Sequence, residues 1–241
     1  MLHVILLDCA LELIPSEMTG LKEIQQTAAR RKKKPGAILL DQAYHGRSMT
    51  RLKDSERRGR PDIVYLCLMT LLETPLCKAG LLTVHLHLAD GTIIQVSPEV
   101  RLPRNYDRFT GLMEQLLERG RVPLEGEPLM RVTGRSLKGL IDGLKGGAER
   151  QCILTVEHGR QTSMTQLGEL LPKDRSVPVV MGIGAFPHGD LSDETKSLFE
   201  THIELDPETM MAWHVCGEIV WAYSWRVEVT GGRYQRDTLP T

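Results

Sequence analysis

The chain has 241 residues, 41% hydrophobic and 25% charged, with a formal net charge of −1. That balance excludes a disordered chain and a polycation: a full core can form, and any grip on nucleic acid must come from clustered cations, not from total charge. No run of about 18 uncharged apolar residues occurs, so no membrane span is expected.

The opening MLHVILLDCALELIP is apolar, but it lacks a basic n-region and is interrupted by Asp8 and Glu12. It reads as a core strand, Leu2–Leu7, and a short helix, not as a signal peptide. A helix is expected over Leu21–Lys34 and a short strand over Ile38–Leu40. Residues 41–60 (DQAYHGRSMTRLKDSERRGR) read as an exposed basic excursion. Ile63–Glu73 has helical spacing and stops before Pro75. Leu82–Ala89 and Thr92–Ser97 flank Asp90-Gly91, a two-residue hairpin signal. Asp107–Gly120 is a helix with Phe109, Leu112, Met113, Leu116 and Leu117 on one face and Gly120 at C′. Further on, a strand is expected at Leu129–Val132 and a helix at Ser136–Lys145, capped by Ser136. Strands at Cys152–Val156 and Val177–Gly182 then alternate with helices at Thr162–Leu171, Leu191–Glu200 and Pro207–Trp225, with Pro207 at N1. The polar tail Gly231–Thr241 is expected to be mobile. This alternation predicts one α/β domain with a largely parallel sheet over residues 1–241, with insertions at about 41–60 and 82–98. The five cysteines form no C-x-x-C pair and read as reduced, buried thiols of a cytoplasmic protein.

GIGAFPHGD, residues 182–190, joins a strand to a helix start. Gly184 and Gly189 have the glycine spacing of a P-loop, yet Asp190 and Leu191 stand where Lys and Ser/Thr should hold phosphate and magnesium. The dinucleotide fingerprint also fails, because Pro187 replaces its third glycine. Two readings stay open. Glycine backbone and the walls of Ala185, Phe186 and Pro187 suit adenine and a neutral ribose, or the loop is a tight turn without a ligand.

Positive charge gathers in three places. Arg30–Lys34 reads as a solvated helix end. Arg47, Arg51, Lys53, Arg57, Arg58 and Arg60 punctuate the excursion. Arg101, Arg104 and Arg108 fall at i, i+3, i+7, where guanidiniums either fork onto an anion such as RNA phosphate or enter a surface salt-bridge network. Tyr106 and Phe109 lie beside them as stacking candidates, although Phe109 fits the helix core better. Asp62, two residues after Arg60, either caps its helix or clamps that arginine. His85 and His87 share a strand face, but no third metal ligand accompanies them. No Ser-His-Asp or Cys-His order points to a covalent nucleophile.

RRGRPDIVYLCLMTLLETPLCKAGLL, VRLPRNYDRFTGLMEQLLERG and VVMGIGAFPHGD together resemble the nucleolar essential protein family, the SPOUT-class pseudouridine N1-methyltransferases of small-subunit ribosomal RNA, in its archaeal branch. The likeness is dense from Arg57 to Gly120 and from Val177 to Trp221. It implies a SPOUT-type α/β sheet with a C-terminal trefoil knot and an inserted β-hairpin, S-adenosylmethionine as methyl donor, rRNA as partner, and a homodimer without metal or membrane. It implies RNA contacts at Arg60, Arg101, Arg104 and Arg108, with Asp62 steadying Arg60 or, as a weaker candidate, acting as the base. Cofactor contacts are implied at Gly184 and Gly189, at Ile203, Glu204, Leu205, Asp206, Pro207 and Glu208, and near Val156 and Glu157. The chain departs from the pattern at Pro187, where relatives carry alanine, and at Asp206, where an aromatic is common. A non-catalytic rRNA-binding assembly factor is the alternative function.

Overall fold

The computed structural model describes residues 1–144 and 151–236. In chain order it contains β1 (Leu2–Cys9), α1 (Lys22–Arg31), α2 (Gln42–Met49), α3 (Pro61–Leu72), α4 (Pro75–Lys78), β2 (Leu82–Leu88) and β3 (Ile93–Val96). There follow α5 (Tyr106–Arg119), β4 (Arg121–Val122), β5 (Met130–Thr133), α6 (Leu137–Leu144), β6 (Gln151–Gln161) and α7 (Met164–Leu170). The last elements are β7 (Val179–Gly184), α8 (Asp193–Ser197), β8 (Thr201–Glu204), α9 (Ala212–Arg226) and α10 (Val229–Arg236).

The strands form one sheet in the order β4-β5-β3-β2-β1-β7-β6-β8. From β2 to β8 every pairing is parallel. The hairpin signal at Asp90-Gly91 is realised as the antiparallel pair β2–β3, and β5 and β4 continue that edge antiparallel. Because β1 is covered on both faces, it is apolar on both apart from His3 and Asp8, and does not alternate. Leu2, Val4 and Leu6 point into a large core with α3, α5 and α9. Ile5 and Leu7 point into a smaller one with α6 and Phe199. Gly182 belongs to this second core: a Cβ there would lie 2.6 Å from the Phe199 ring, so only glycine fits.

Several expectations need correction. Residues 41–60 are not a bare excursion. Asp41 caps α2 by accepting the Ala43 N–H at 2.8 Å, and Met49 and Leu52 close a third core with Ile24, Ala28, Ile38 and Leu40. Ile38–Leu40 is buried but forms a single bridge, Leu13 to Leu39, and no strand. The final long helix starts at Ala212, not Pro207, because residues 205–211 turn through a crevice wall described below. Helix α8 spans only Asp193–Ser197. Part of the tail is helical, as α10; Lys145 and residues 237–241 lie outside the described residues.

The two-histidine face also reads differently. His85 is 5% exposed, and neither ring nitrogen has a hydrogen-bond partner. Burial and the nearby His3 lower its pKa to about 4. His3, bonded to Thr83 Oγ1 at 2.7 Å, is lowered by burial to about 4 as well. A histidine whose folded pKa is depressed keeps its full stability above the unfolded pKa and loses it as pH falls from about 6.5 to about 4. Each such shift corresponds to on the order of 3 kcal/mol at most. His85→Leu is therefore expected to stabilise the protein more at pH 5 than at pH 7.5, measured by urea unfolding. An equal gain at both pH values would contradict this account.

Candidate functional site

A cavity of about 520 Å³ opens at the carboxyl ends of β6, β7 and β8, the end of a parallel sheet where ligands bind. Strand β7 ends in Gly184 and β8 in Glu204. Strand β6 leaves its ladder with β8 after Thr155 and rejoins it at Arg160, paired with Ile203. The four residues between are lifted out, with His158 at φ 61°. A Cβ on Gly159 would lie 2.7 Å from the Ile203 carbonyl carbon, so β8 can pass only beside a glycine.

Nine of the ten residues singled out from the sequence line this one cavity: Val156, Glu157, Gly184, Gly189, Ile203, Glu204, Leu205, Asp206 and Glu208. Pro207 does not; it is exposed on the outside of a turn that Asp206 closes by accepting the Glu208 N–H at 2.9 Å. Phe186, His158, Thr209 and Met210 also line the space. No sequence pattern marked His158 or Thr209; Phe186 lay inside the quoted loop.

The electrostatics of the cavity decide what it can take. Glu157, Asp190, Glu204, Asp206 and Glu208 all line it. Two carboxylates are fixed from across the cavity: Thr209 Oγ1 donates to Glu157 at 2.7 Å and the His158 N–H donates to Glu204 at 2.7 Å. Asp190 accepts from Lys196 at 2.5 Å. Five carboxylates repel a phosphate and favour a cation or sugar hydroxyls. Gly184 leaves room beneath Phe186, whose ring lies 3.0 Å from where its Cβ would be, and Gly189 takes φ +85°, which favours glycine.

The arginines lie on neighbouring elements. Arg60 is clamped by Asp62: Nε donates to Oδ1 at 2.9 Å and Nη2 to Oδ2 at 2.8 Å. Asp62 does not cap α3, so of the two roles left open the structure takes the clamp. Arg101, Arg104 and Arg108 are exposed, and among the described residues no carboxylate pairs with any of them, which disfavours the salt-bridge network. Asn105 caps α5 by accepting the Arg108 N–H at 3.1 Å. Tyr65 of α3 donates to the Arg104 carbonyl at 2.5 Å, tying this stretch to the helix that carries Asp62. Phe109 is fully buried and Tyr106 donates to Asp41 at 2.7 Å, so the first cannot stack on a base and the second is held. The Arg30–Lys34 cluster is only partly a solvated helix end, because Arg31 and Lys33 both bind the buried Glu114.

Among the described residues no cluster of three or more His, Cys, Asp or Glu could hold a metal, and His87 lies 3.2 Å from Asp8 instead. No helix among them is long and apolar enough to cross a membrane. All five cysteines are buried, and burial raises the Cys9, Cys77 and Cys216 thiols.

A largely parallel α/β sheet, an acid-lined cavity of nucleoside size at its carboxyl end and a bare arginine track place the chain among α/β proteins that bind a small ligand where the parallel strands end. The EMG1/NEP1 methyltransferase family model matches residues 4–224, and the chain belongs to that family. It is 39% identical to the ribosomal RNA small subunit methyltransferase Nep1 of Staphylothermus marinus, over 91% of this chain and 93% of the relative. It is 40% identical to the protein of the same name from Pyrococcus furiosus, over 94% and 97%. Among solved structures it is similar to Archaeoglobus fulgidus Nep1 bound to S-adenosylhomocysteine, with a TM-score of 0.81 and 37% identity, covering 94% of this chain and 98% of that one.

Proposed function

We propose that this chain methylates N1 of a pseudouridine in small-subunit ribosomal RNA, with S-adenosylmethionine as donor. The observation that carries the proposal is the acid-lined cavity at the ends of β6, β7 and β8, read with the S-adenosylhomocysteine in the A. fulgidus relative. The residues fit the donor. Five carboxylates suit its sulfonium charge and ribose hydroxyls, and Gly184 and Gly189 let backbone approach a flat ring. Gly184, Gly189, Val156, Glu157 and the stretch 203–208 would hold it, with Pro207 shaping the turn and not touching. The donor supplies an electrophilic methyl group.

Pseudouridine is joined to ribose through carbon, which leaves an imide N1–H free. Once deprotonated, N1 is itself the nucleophile, so no covalent enzyme adduct is needed, and no buried thiol has to act. The chain's part is positioning. Arg101, Arg104 and Arg108 would fix phosphates, and Arg60, locked by both oxygens of Asp62, would present its remaining donors in a fixed direction. That bidentate clamp favours the orienting role for Asp62 over proton abstraction.

The finer architecture belongs to the same proposal. β7 lies between β1 and β6, although β6 precedes it in sequence; this order supports a C-terminal trefoil knot, with the β2–β3 hairpin as an addition to the SPOUT-type sheet. Trp221 and Trp225, 68% and 64% exposed one turn apart on α9, support a homodimer through that helix. Five reduced cysteines support a cytoplasmic setting.

The test uses purified protein, labelled S-adenosylmethionine and a small-subunit hairpin bearing either uridine or pseudouridine. Label is expected only on the pseudouridine RNA; equal labelling of both, or of neither, defeats the proposal. Gly184→Val is expected to abolish the calorimetric heat of S-adenosylhomocysteine binding. A retained heat would place the donor elsewhere. Arg101→Ala and Arg104→Ala are each expected to reduce the salt slope of RNA binding by about one unit, uniformly across sequences. An unchanged slope would take these arginines off the RNA.

A further inference from the structure

Arg57 is not in the arginine track and does not line the cavity, yet it touches both neighbourhoods. It ends a short turn, Ser55–Arg57, whose backbone closes on Asp54, and it stands three residues before Arg60. Its Nη1 donates to the Asp190 carbonyl at 2.7 Å, and its Nη2 lies 3.4 Å from Asp8 Oδ2. The guanidinium carbon sits 4.3 Å from the centre of the Phe186 ring. A Cβ on Gly189 would come within 3.0 Å of Nη1 and would crowd this contact. Phe186, Gly189 and Asp190 are cavity walls. Arg57 therefore braces the glycine loop from outside.

The brace has a fixed anchor. Asp8 ends the buried run of β1 at φ 49°, an uncommon conformation for aspartate, with its other oxygen 3.2 Å from His87 Nδ1. On the far side of Arg57 the chain is pinned again, since the Arg60 N–H donates to the Ala10 carbonyl at 3.0 Å. Arg57 thus stands between Arg60, three residues on, and the Phe186 wall of the cavity.

We propose that Arg57 is a positioning residue that couples RNA engagement at the arginine track to closure of the glycine loop on the donor. The inference rests on the methyltransfer reading above. It requires that RNA tighten donor binding and that the donor tighten RNA binding by the same factor.

The test is titration calorimetry of the full chain with S-adenosylhomocysteine, with and without the pseudouridine hairpin. In the unaltered protein the hairpin is expected to tighten binding by about five- to tenfold, within the usual span of coupling between sites. Arg57→Ala is expected to weaken S-adenosylhomocysteine several-fold and to remove the effect of the hairpin, while hairpin affinity without S-adenosylhomocysteine stays within about twofold. Arg57→Lys keeps the charge but not the planar fork, and is expected to lose the coupling even if the alanine variant does not fold. A lysine variant with the full coupling factor overturns the inference, and so does an unaltered protein with no coupling. Absence of any S-adenosylhomocysteine binding by the unaltered protein would instead defeat the methyltransfer reading itself.

Discussion

Glu114→Ala is expected to lower unfolding stability by about 3 kcal/mol, and Arg31→Ala combined with Lys33→Ala by about 5 kcal/mol. Glu114 is a glutamate of α5 with only 1% of its side chain exposed. It accepts from Arg31 Nη1 at 2.5 Å and Nη2 at 3.0 Å, from Lys33 at 2.5 Å and from the Leu39 N–H at 2.9 Å. The two cations are 30% and 37% exposed, so water can reclaim them when the carboxylate goes, which puts the first value at the low end. Removing the cations instead strands a buried anion on one backbone donor, and that is the worse defect. Urea unfolding at constant slope measures both. A double variant less destabilised than Glu114→Ala would refute the asymmetry. The cluster matters beyond stability, because it fastens α1 and the 38–41 segment to the helix whose first turn carries Tyr106 and Arg108.

Gly159→Ala is expected to be the most damaging one-carbon change in the candidate site. The added methyl would sit 2.7 Å from the Ile203 carbonyl carbon, 2.9 Å from the Ile203 nitrogen and 3.0 Å from the Glu204 nitrogen. All three are backbone, so no side chain can swing away. Either β8 moves off β6, at about 3 kcal/mol or more, or the lifted 156–159 segment re-forms. Both spoil the wall made by Glu157 and Ile203. Binding of S-adenosylhomocysteine should weaken on the order of a hundredfold, equivalent to that same 3 kcal/mol. Gly20→Ala, where a Cβ meets nothing within 4 Å, should leave both melting and binding unchanged. Wild-type affinity in Gly159→Ala would mean that the wall tolerates displacement and that this account of the cavity is wrong.

What the sequence conveyed, and what it withheld, follows from how local each signal is. Strand β1, the β2–β3 turn at Gly91 and helix α5 with Gly120 in the left-handed region are set by runs, turns and periods a few residues long. The glycine loop was legible by what it lacked: no lysine or hydroxyl follows Gly189. Pro207 misled because proline suits a first helical turn and an exposed turn equally, and only the cavity wall beyond it separates the two. Asp41 is a capping residue before a weakly apolar stretch, so α2 was hidden by its composition. The Glu114 cluster and the Arg57 brace join residues 49 or more apart, and a basic run shows nothing of a carboxylate that far along the chain. The one clue to Glu114 was a charge beside the otherwise apolar stripe of α5.

The neighbours of β1 carry a consequence for synthesis. Leu2 pairs with Leu82 on one side and with Val179 on the other. One edge of β1 is therefore unsatisfied until β7, about 175 residues further along, has been made, roughly ten to forty seconds at ordinary translation speeds. Throughout that interval an oily ribbon with free amides is open to wrong partners. Nascent chains of this protein should depend on holding chaperones, and translation stalled after β2 and before β7 should leave products that aggregate.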